Sequence, residues 1–498
     1  MNPKNVLDTI FHKKAAGRLI SAVTGRMAKN AGKRFAAQPP ARIPEEDFIR
    51  SPEPSSDLFT VGFGKAEIMP KERIPGEKKY YIAGYRDHNP AVGVLDPLQA
   101  KAVWIDDNSG LGAVVMVAVD CVGLMAWDVG QIKKRVWDFV GGKNCRSLNI
   151  LATHDHAGID TMGMWGPVPK TGRDPEFMEI VARGVLDAVK KAYEDRRAGR
   201  LYLGYAHVPR EWIRRDRTPH HTNERIARFR FEPEDGSRQV YICNFASHSE
   251  SLEGKNSLVS GDFPAYIAEE VMREKGAETI YFVADICGVR MWPQDDDNVV
   301  SCIKTGRGLG RLICAIPEDE DHETKLVPRI GVCRREFYAP CDNPVLMAAI
   351  KIKLMKAHPY DIGGGDLGMG VKTEITYIEI GQARLLLLPG EIMPDLVYGT
   401  YLPAEETAEG LPPTLNPEPL CEIAGDKDLM IFGLANDEIG YIVTPNDFYL
   451  DPDLPYIEST RDRLDRRHYE ETNGLGPRTA YLIADNFKAI MRKVKADV

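Results

Sequence analysis

The stretch Ser147–Asp160 reads SLNILATHDHAGID, an apolar run that ends in two histidines with an aspartate between them. In an extended segment, residues two apart point to the same side. His154 and His156 can therefore face one cavity, whereas Asp155 points away from it and is a weak ligand candidate. A lone histidine at a strand end is more often a hydrogen-bonded structural residue, but two in this arrangement raise the hypothesis of a metal site.

Strand-like and helix-like segments alternate on both sides of this stretch. The runs QAKAVWIDD (99–107) and GAVVMVAVDCVGL (112–124) are rich in residues that favour strands. The segment AWDVGQIKKRVWDFV (126–140) has helical periodicity and is followed by two glycines, and a second helix is predicted to begin at Asp174 and Pro175. The pattern predicts an α/β fold in which mixed β-sheets are layered with helices, with functional residues at the carboxyl ends of strands.

The chain is predicted to consist of a basic N-terminal extension and linker, residues 1–57, and one large catalytic domain, residues 58–498. Basic residues dominate the extension: Lys4, Lys13, Lys14, Arg18, Arg26, Lys29, Lys33 and Arg34, against Asp8 as the early acid. Apolar residues recur between them at helical spacing. A basic amphipathic helix of this kind could make peripheral contact with an anionic membrane surface, and the alternative is a loosely ordered terminal helix.

Composition restricts the class of protein. A net charge of -9 argues against nucleic acid as a partner. The sequence contains no apolar run of about 18 residues, so no membrane span is predicted. The N-terminus lacks the apolar core of a secretory signal. The nine cysteines form no CxxC pair, which favours reduced thiols in a cytoplasmic protein. No pattern in the sequence predicts an oligomeric state.

Other predicted strands also end in residues that can bind a metal. His248 follows the run RQVYICNFAS, Glu391 follows ARLLLLPG, and Tyr441 follows DLMIFGLANDEIG. Together with the histidine pair, these are ligand types that zinc accepts while keeping a position for water. Alternatively, Glu391 begins a helix, where a carboxylate is favourable, and Tyr441 is a half-buried aromatic residue with a solvated hydroxyl.

The order of these motifs resembles the catalytic domain of the neutral/alkaline ceramidase family, zinc-dependent amidases that cleave ceramide into sphingosine and fatty acid. The resemblance covers most of residues 58–490. It rests on the segments FTVGFGKAEIMP, IAGYRDHNPAVGVLDPLQAKAVW, VVMVAVDCVGL, NILATHDHAG, YICNFASHSESL, SGDFPAYIAEEV, LLLLPGEIMPDL, GLANDEIGYIVTPNDF and YIESTRDRLDRRHYEETNGLGPRTA. It implies a lipid-like small-molecule substrate.

The resemblance also implies a site. One Zn2+ per chain would be bound by His154, His248, Glu391 and Tyr441. The ion would lower the pKa of a water and polarise the amide carbonyl. His156 matches the family's second histidine and is the candidate for moving a proton to the leaving amine. Arg217, with Arg215 beside it, matches the arginine that holds the substrate.

Two departures from the family pattern keep other functions open. Asp155 stands where the family has a hydroxyl residue, and Arg290 aligns with a serine that has been given a catalytic role. Arg290 would favour a more polar substrate, or it would pair with the acids at 295–297. The alternatives are a zinc hydrolase of a different, more polar amide or ester, and a catalytically inactive lipid-binding relative. The inactive relative predicts that the proposed ligands do not converge.

Overall fold

The computed structural model describes residues 22–23, 25–26, 40–86, 88–167 and 170–497. The predicted amphipathic N-terminal helix lies almost entirely outside these residues, so it stays a prediction. Among the described helices, none combines the length and apolar character that crossing a bilayer requires.

The described residues form strands and helices throughout the chain. The strands are β1 Ile49–Arg50, β2 Phe59–Glu67, β3 Gly93–Val94, β4 Gln99–Asp106, β5 Ala113–Val119, β6 Cys145–Ala152, β7 Arg197–His207, β8 Ile213–Arg215, β9 Arg225–Pro233, β10 Val240–Phe245, β11 Leu258–Val259, β12 Glu278–Val283, β13 Val289–Met291, β14 Glu323–Lys325, β15 Ile330–Pro340, β16 Tyr360–Asp361, β17 Met369–Ile380, β18 Ala383–Leu387, β19 Glu391–Ile392, β20 Met430–Phe432 and β21 Tyr441–Ile442. The helices are α1 Ala126–Val140, α2 Pro175–Glu194, α3 Asp262–Lys275, α4 Asn298–Cys314, α5 Pro344–Lys351, α6 Pro394–Tyr398, α7 Leu420–Ala424 and α8 Arg478–Ala496. Short 3-10 helices are Arg210–Trp212, Ala404–Glu406, Pro413–Leu415, Pro445–Asp447 and Glu470–Asn473.

Two mixed sheets form the centre of the domain. The larger has nine strands in the order β12-β10-β9-β7-β2-β4-β5-β6, with β14 added beside β7. Its neighbours β5 and β6 are parallel, as are β10 and β12. The smaller has six strands in the order β1-β15-β17-β18-β20, with β16 beside β17, and β18 and β20 are parallel.

The two sheets pack face to face, and helices cover both outer faces. Side chains alternate along each strand: Val114 and Met116 of β5 pack in a core shared with Ile378 of β17, whereas Val115 and Val117 pack in the core that contains α1–α4. The outer face of the smaller sheet packs against α5–α8. The prediction of mixed sheets layered with helices is therefore confirmed.

Local sequence signals located several helices. The first predicted helix has the bounds of α1. The Asp174 carboxylate accepts hydrogen bonds from the backbone N–H groups of Glu176 and Phe177, and Pro175 occupies the first turn of α2. The sequence analysis did not identify α4, β15 or α8.

Helix α4 was missed because it contains three closely spaced glycines, which are poor helix formers. Packing against α3 explains two of them, Gly306 and Gly310. A Cβ at Gly306 would lie 2.4 Å from the Phe263 carbonyl oxygen, and one at Gly310 would lie 2.8 Å from the Glu270 Cβ. The close approach of two helices, which the sequence does not reveal, requires these glycines.

Part of the predicted N-terminal linker is bound to the smaller sheet. Ile49 and Arg50 pair with β15, and the Arg50 guanidinium donates to the Glu379 carboxylate at 2.9 Å. The boundary at residue 57 stays a prediction.

The curl of the larger sheet brings distant strand ends together. Neighbouring strands are rotated by roughly 20–25°, and this rotation accumulates from β10 to β6. As a result, Asp155, just after β6, forms a parallel bridge with Ser249, just after β10. This contact places the two histidine-bearing segments side by side.

Candidate metal centre and active site

Two of the predicted ligands are fixed in the same tautomer by backbone carbonyls. The His154 Nδ1–H donates to the Val122 oxygen at 2.7 Å, and the His248 Nδ1–H donates to the Val289 oxygen at 2.8 Å. A carbonyl can only accept a hydrogen bond, so each Nδ1 carries a proton, and Nε2 is the nitrogen that has a lone pair for an ion when the ring is neutral. Histidines that bind metals are typically oriented in this way.

The free ring nitrogens meet a buried carboxylate. Glu391 Oε2 lies 2.9 Å from His248 Nε2 and 3.4 Å from His154 Nε2. His154 Nε2 in turn lies 3.0 Å from His156 Nε2. Glu391 Oε2 is buried and accepts no hydrogen bond. These atoms could bind a metal cation together, because imidazole nitrogen with carboxylate oxygen is a ligand set that suits zinc.

The histidine pair converges through a backbone conformation that the sequence analysis did not expect. Strand β6 ends at Ala152, and His154 has a φ of +55°, in the left-handed region. Few residues other than glycine adopt this region. Asp155 is fully buried and accepts from the Ala157 N–H at 2.8 Å. The pair thus faces one cavity at a turn, not along an extended strand.

Glu391 and Tyr441 come to the site together. They are paired residues in the two-stranded parallel sheet of β19 and β21. Glu391 does not begin a helix, since α6 starts at Pro394. Tyr441 is half-buried and lines the same cavity as the histidines and Glu391.

Burial and the surrounding charges set the protonation of these groups. Burial raises the pKa of Glu391, but His154 and His248 lower it more, so the net shift is downward. Burial lowers the pKa of His248, but Glu391 and the Val289 carbonyl raise it to about 9. Burial lowers the pKa of His156 well below its usual value, and the two neighbouring histidines act in the same direction, so this ring is neutral at pH 7.

His156 is supported by residues that sequence reasoning missed. Its Nδ1 is buried without a hydrogen-bond partner and lies 3.8 Å from Glu250 Oε2. The Tyr85 hydroxyl donates to Glu250 Oε2 at 2.9 Å, and Arg290 Nη1 donates to Glu250 Oε1 at 3.3 Å. The Tyr85 ring packs edge-on against His156, with centroids 5.1 Å apart. The only signal in the sequence was a carboxylate two residues after His248.

Gly84 fits closely against the His156 ring and gives a direct test of that ring's position. A Cβ there would lie 2.5 Å from His156 Nδ1, and the residue has a φ of +100°. We expect Gly84→Ala to displace the ring and lower kcat by about 100-fold, since a shift of about 1 Å can cost that much.

We expect the metal content of this variant to stay unchanged, because the three atoms nearest a Cβ at Gly84 all belong to His156 and none to His154, His248 or Glu391. Gly130→Ala in α1 is the control, because no atom lies within 4 Å of its new Cβ. Full activity in Gly84→Ala would contradict a role for the position of His156.

Arg290 pairs with acids other than those considered from the sequence. Its Nη2 lies 2.9 Å from Asp216 Oδ2, in addition to the Glu250 contact. Asp295 pairs with Lys304, and Asp297 caps α4. The alternative that Arg290 pairs with the acids at 295–297 is therefore wrong.

Arg217 is not among the residues that line the cavity. Its side chain is 3% exposed, and its guanidinium contacts Asp447, Glu470 and Glu471 at 2.9–3.0 Å. Arg215 is also buried, and it binds the Asp395 carboxylate. The substrate-holding role of Arg217 stays a prediction, and its contacts indicate a structural one.

The same region contains a second group of potential metal ligands. Donor atoms of Asp447, Asp462 and His468 lie within 4.8 Å of one another. Guanidinium groups already neutralise these acids: Arg217 and Arg466 both contact Asp447, and Arg466 contacts Asp462. We therefore interpret this group as an ion-pair network.

His154 and His156 line a cavity of about 230 Å³ whose walls are largely apolar. Apolar lining residues include Val122, Met125, Trp127, Met162, Met164, Trp165, Leu346, Ile350, Met355, Ile439 and Leu475. Two acids that sequence reasoning missed, Asp437 and Glu438, also line it. Burial and then Glu391 raise the pKa of Glu438 well above its usual value.

Comparisons with known proteins point to one family. A family model described as neutral/alkaline non-lysosomal ceramidase, N-terminal, matches residues 59–291. The neutral ceramidase of Mycobacterium tuberculosis is 23% identical over 370 residues, which are 68% of this chain and 50% of that protein. The neutral ceramidase of Drosophila pseudoobscura pseudoobscura is 24% identical over 232 residues, which are 43% of this chain and 32% of that protein.

A solved structure shares the fold. The crystal structure of neutral ceramidase from Pseudomonas aeruginosa superposes with a TM-score of 0.66 at 16% identity, covering 88% of this chain and 75% of that one. The matched part of this chain spans half or less of the length of the two curated relatives.

Proposed function

Because the chain belongs to the neutral/alkaline non-lysosomal ceramidase family, we propose that it is a zinc-dependent hydrolase that cleaves the N-acyl amide bond of ceramide or a related N-acyl lipid. One observation carries the proposal: the Nε2 atoms of His154 and His248 converge on the buried Oε2 of Glu391, and His154 and Glu391 line an apolar cavity. The inactive-relative hypothesis required these residues to lie apart.

Each residue has a role in this proposal. His154, His248 and Glu391, with Tyr441 beside Glu391, would hold the ion. Zinc in such a ligand set lowers the pKa of water and polarises a carbonyl oxygen. His156, whose Nε2 lies 3.0 Å from His154 Nε2, is placed to carry a proton to the leaving amine. Glu250, Tyr85 and Arg290 hold the His156 ring in position.

The cavity supports an apolar acyl group as the part of the substrate that is buried. Its walls are formed mainly by methionine, aromatic and branched aliphatic side chains, and its lining residues include no arginine. Such walls favour hydrocarbon through burial of apolar surface. Arg290, which stands where the family has a serine, is engaged by Glu250 and Asp216, beside His156.

The size of the cavity favours a second candidate function. Its volume of about 230 Å³ lies below the roughly 300–1,000 Å³ of pockets that enclose a drug-sized ligand. A lipid with two long chains would leave one chain outside. The second candidate is accordingly a zinc hydrolase of a smaller or single-chain amide.

A substrate panel distinguishes these candidates. The zinc-loaded protein should be incubated with ceramides of graded acyl length and with single-chain N-acyl amides, and the released fatty acid should be measured by mass spectrometry. We expect fatty acid release from ceramide. Release from single-chain amides alone would select the second candidate. No release from any member would overturn the proposal.

A further inference from the structure

The segment from Asn343 to Tyr360, here called the rim segment, has a composition that the proposed chemistry does not explain. Its sequence is NPVLMAAIKIKLMKAHPY, with three lysines, no acid and seven large aliphatic residues. A segment that combines lysines with exposed apolar side chains in this way is typical of contact with a membrane interface.

The rim segment forms one wall of the cavity. Leu346, Ile350 and Met355 line it, and the exposed His358 lines it near the surface. The apolar side of the segment is thus turned towards the space that holds the proposed substrate.

The other side of the rim segment faces solvent and is positively charged. Lys353 and Lys356 are exposed, and Ile352, which directly precedes Lys353, is 42% exposed. Lys356 Nζ lies 3.5 Å from the centre of the Trp127 ring, which also lines the cavity. The acids that line the cavity, such as Glu438, are buried inside it. The exposed His358 lines the cavity, so the cavity reaches the surface there, and Lys356 lies two positions before it in the sequence.

The basic N-terminal extension joins the domain beside the cavity as well. The Tyr338 hydroxyl donates to the Ala41 carbonyl oxygen at 3.2 Å. The Tyr338 ring packs on the ring of Tyr360 at 5.0 Å, and Tyr360 lines the cavity. Eight basic residues precede this point in the sequence.

From these observations we propose that the rim segment docks on an anionic lipid bilayer, with Lys353 and Lys356 at the headgroups and Ile352 inserted among the acyl chains, so that the cavity opens towards the membrane. This inference rests on the proposed function, since a lipid substrate would then pass from the bilayer into the cavity without crossing water. Charge complementarity selects the partner: an anionic surface attracts adjacent lysines, with a strength that falls as salt rises.

Vesicle binding tests the proposal. The full-length protein should be sedimented with vesicles of phosphatidylcholine alone and with vesicles containing phosphatidylserine. We expect binding to the anionic vesicles only, and the variant K353Q/K356Q should partition about 30-fold more weakly, from a loss of roughly fivefold per lysine. The matched control is K275Q/K304Q, which removes two lysines from α3 and α4 on the opposite outer layer.

Two further arms separate the possible outcomes. The variant K13Q/K14Q reports on the N-terminal extension, and turnover of a monomeric short-chain substrate reports on the chemistry. Rim variants that lose vesicle binding but keep turnover of the monomeric substrate would support the proposal. Unchanged vesicle binding by K353Q/K356Q, or loss in K13Q/K14Q alone, would overturn it. Vesicle binding by the unaltered protein without turnover of the monomeric substrate would instead count against the proposed function.

Discussion

Replacing His248 with alanine is expected to abolish metal binding and amide hydrolysis together while the fold persists. His248 Nε2 is the donor atom closest to Glu391 Oε2, at 2.9 Å. Without it, only His154 and Glu391 remain of the three converging ligands. Loss of an outer-shell partner alone costs roughly 10- to 100-fold in affinity or activity, and loss of a ligand should cost more. Metal content by mass spectrometry and fatty acid release measure the two effects.

The control for this experiment is His322→Ala. His322 is exposed and pairs with Asp319 on the surface, so this variant should keep its metal and its activity. We expect about one zinc per chain in the wild type, as a single tetrahedral site requires, and none in the double variant H154A/H248A. A His248→Ala protein that retains both metal and turnover would show that the site has been assigned to the wrong residues.

Replacing Arg217 with methionine is expected to destabilise the domain strongly. Arg217 compensates three buried carboxylates, those of Asp447, Glu470 and Glu471. Removing one partner of a buried ion pair typically costs about 3–5 kcal/mol because a buried charge loses its compensation. The free energy of unfolding, measured with a chemical denaturant, should fall by this amount at pH 8. Arg238→Met is the control, since Arg238 is exposed and its pair with Glu278 should contribute little.

The stability deficit of Arg217→Met should shrink as the pH falls from 8 towards 5. Without the guanidinium, burial raises the pKa of the uncompensated carboxyls in the folded state above their unfolded values. The folded variant then binds more protons than the unfolded chain, so its stability falls as pH rises and recovers as pH falls. A deficit that is independent of pH would contradict this account.

Arg217→Lys separates a structural role from the predicted role of holding the substrate. A lysine keeps the charge but not the paired contacts of a guanidinium. If the role is structural, the free energy of unfolding falls while KM changes little. If Arg217 binds substrate, KM rises in a protein of nearly normal stability.

Short-range features of the sequence predicted several of the individual elements and identified the candidate ligands. Helix α1 and the Asp174 cap of α2 follow from periodicity and capping within a few residues, because such signals act locally. His154, His248, Glu391 and Tyr441 could be selected because each follows an apolar strand-like run. The family resemblance indicated that these residues bind one ion together, which no single run could have indicated.

Tertiary structure decided what these residues contact. The parallel bridge between Asp155 and Ser249 depends on the twist that accumulates across a nine-stranded sheet. No short stretch of sequence predicts this total twist. Arg217 and Glu471 are 254 positions apart, so only the packed domain reveals that this arginine is committed to carboxylates. The same holds for Glu250 beside His156 and for Lys356 beside Trp127 at the cavity wall. Sequence specifies local conformation and chemical type, whereas partners distant in the chain are set by strand register and close packing.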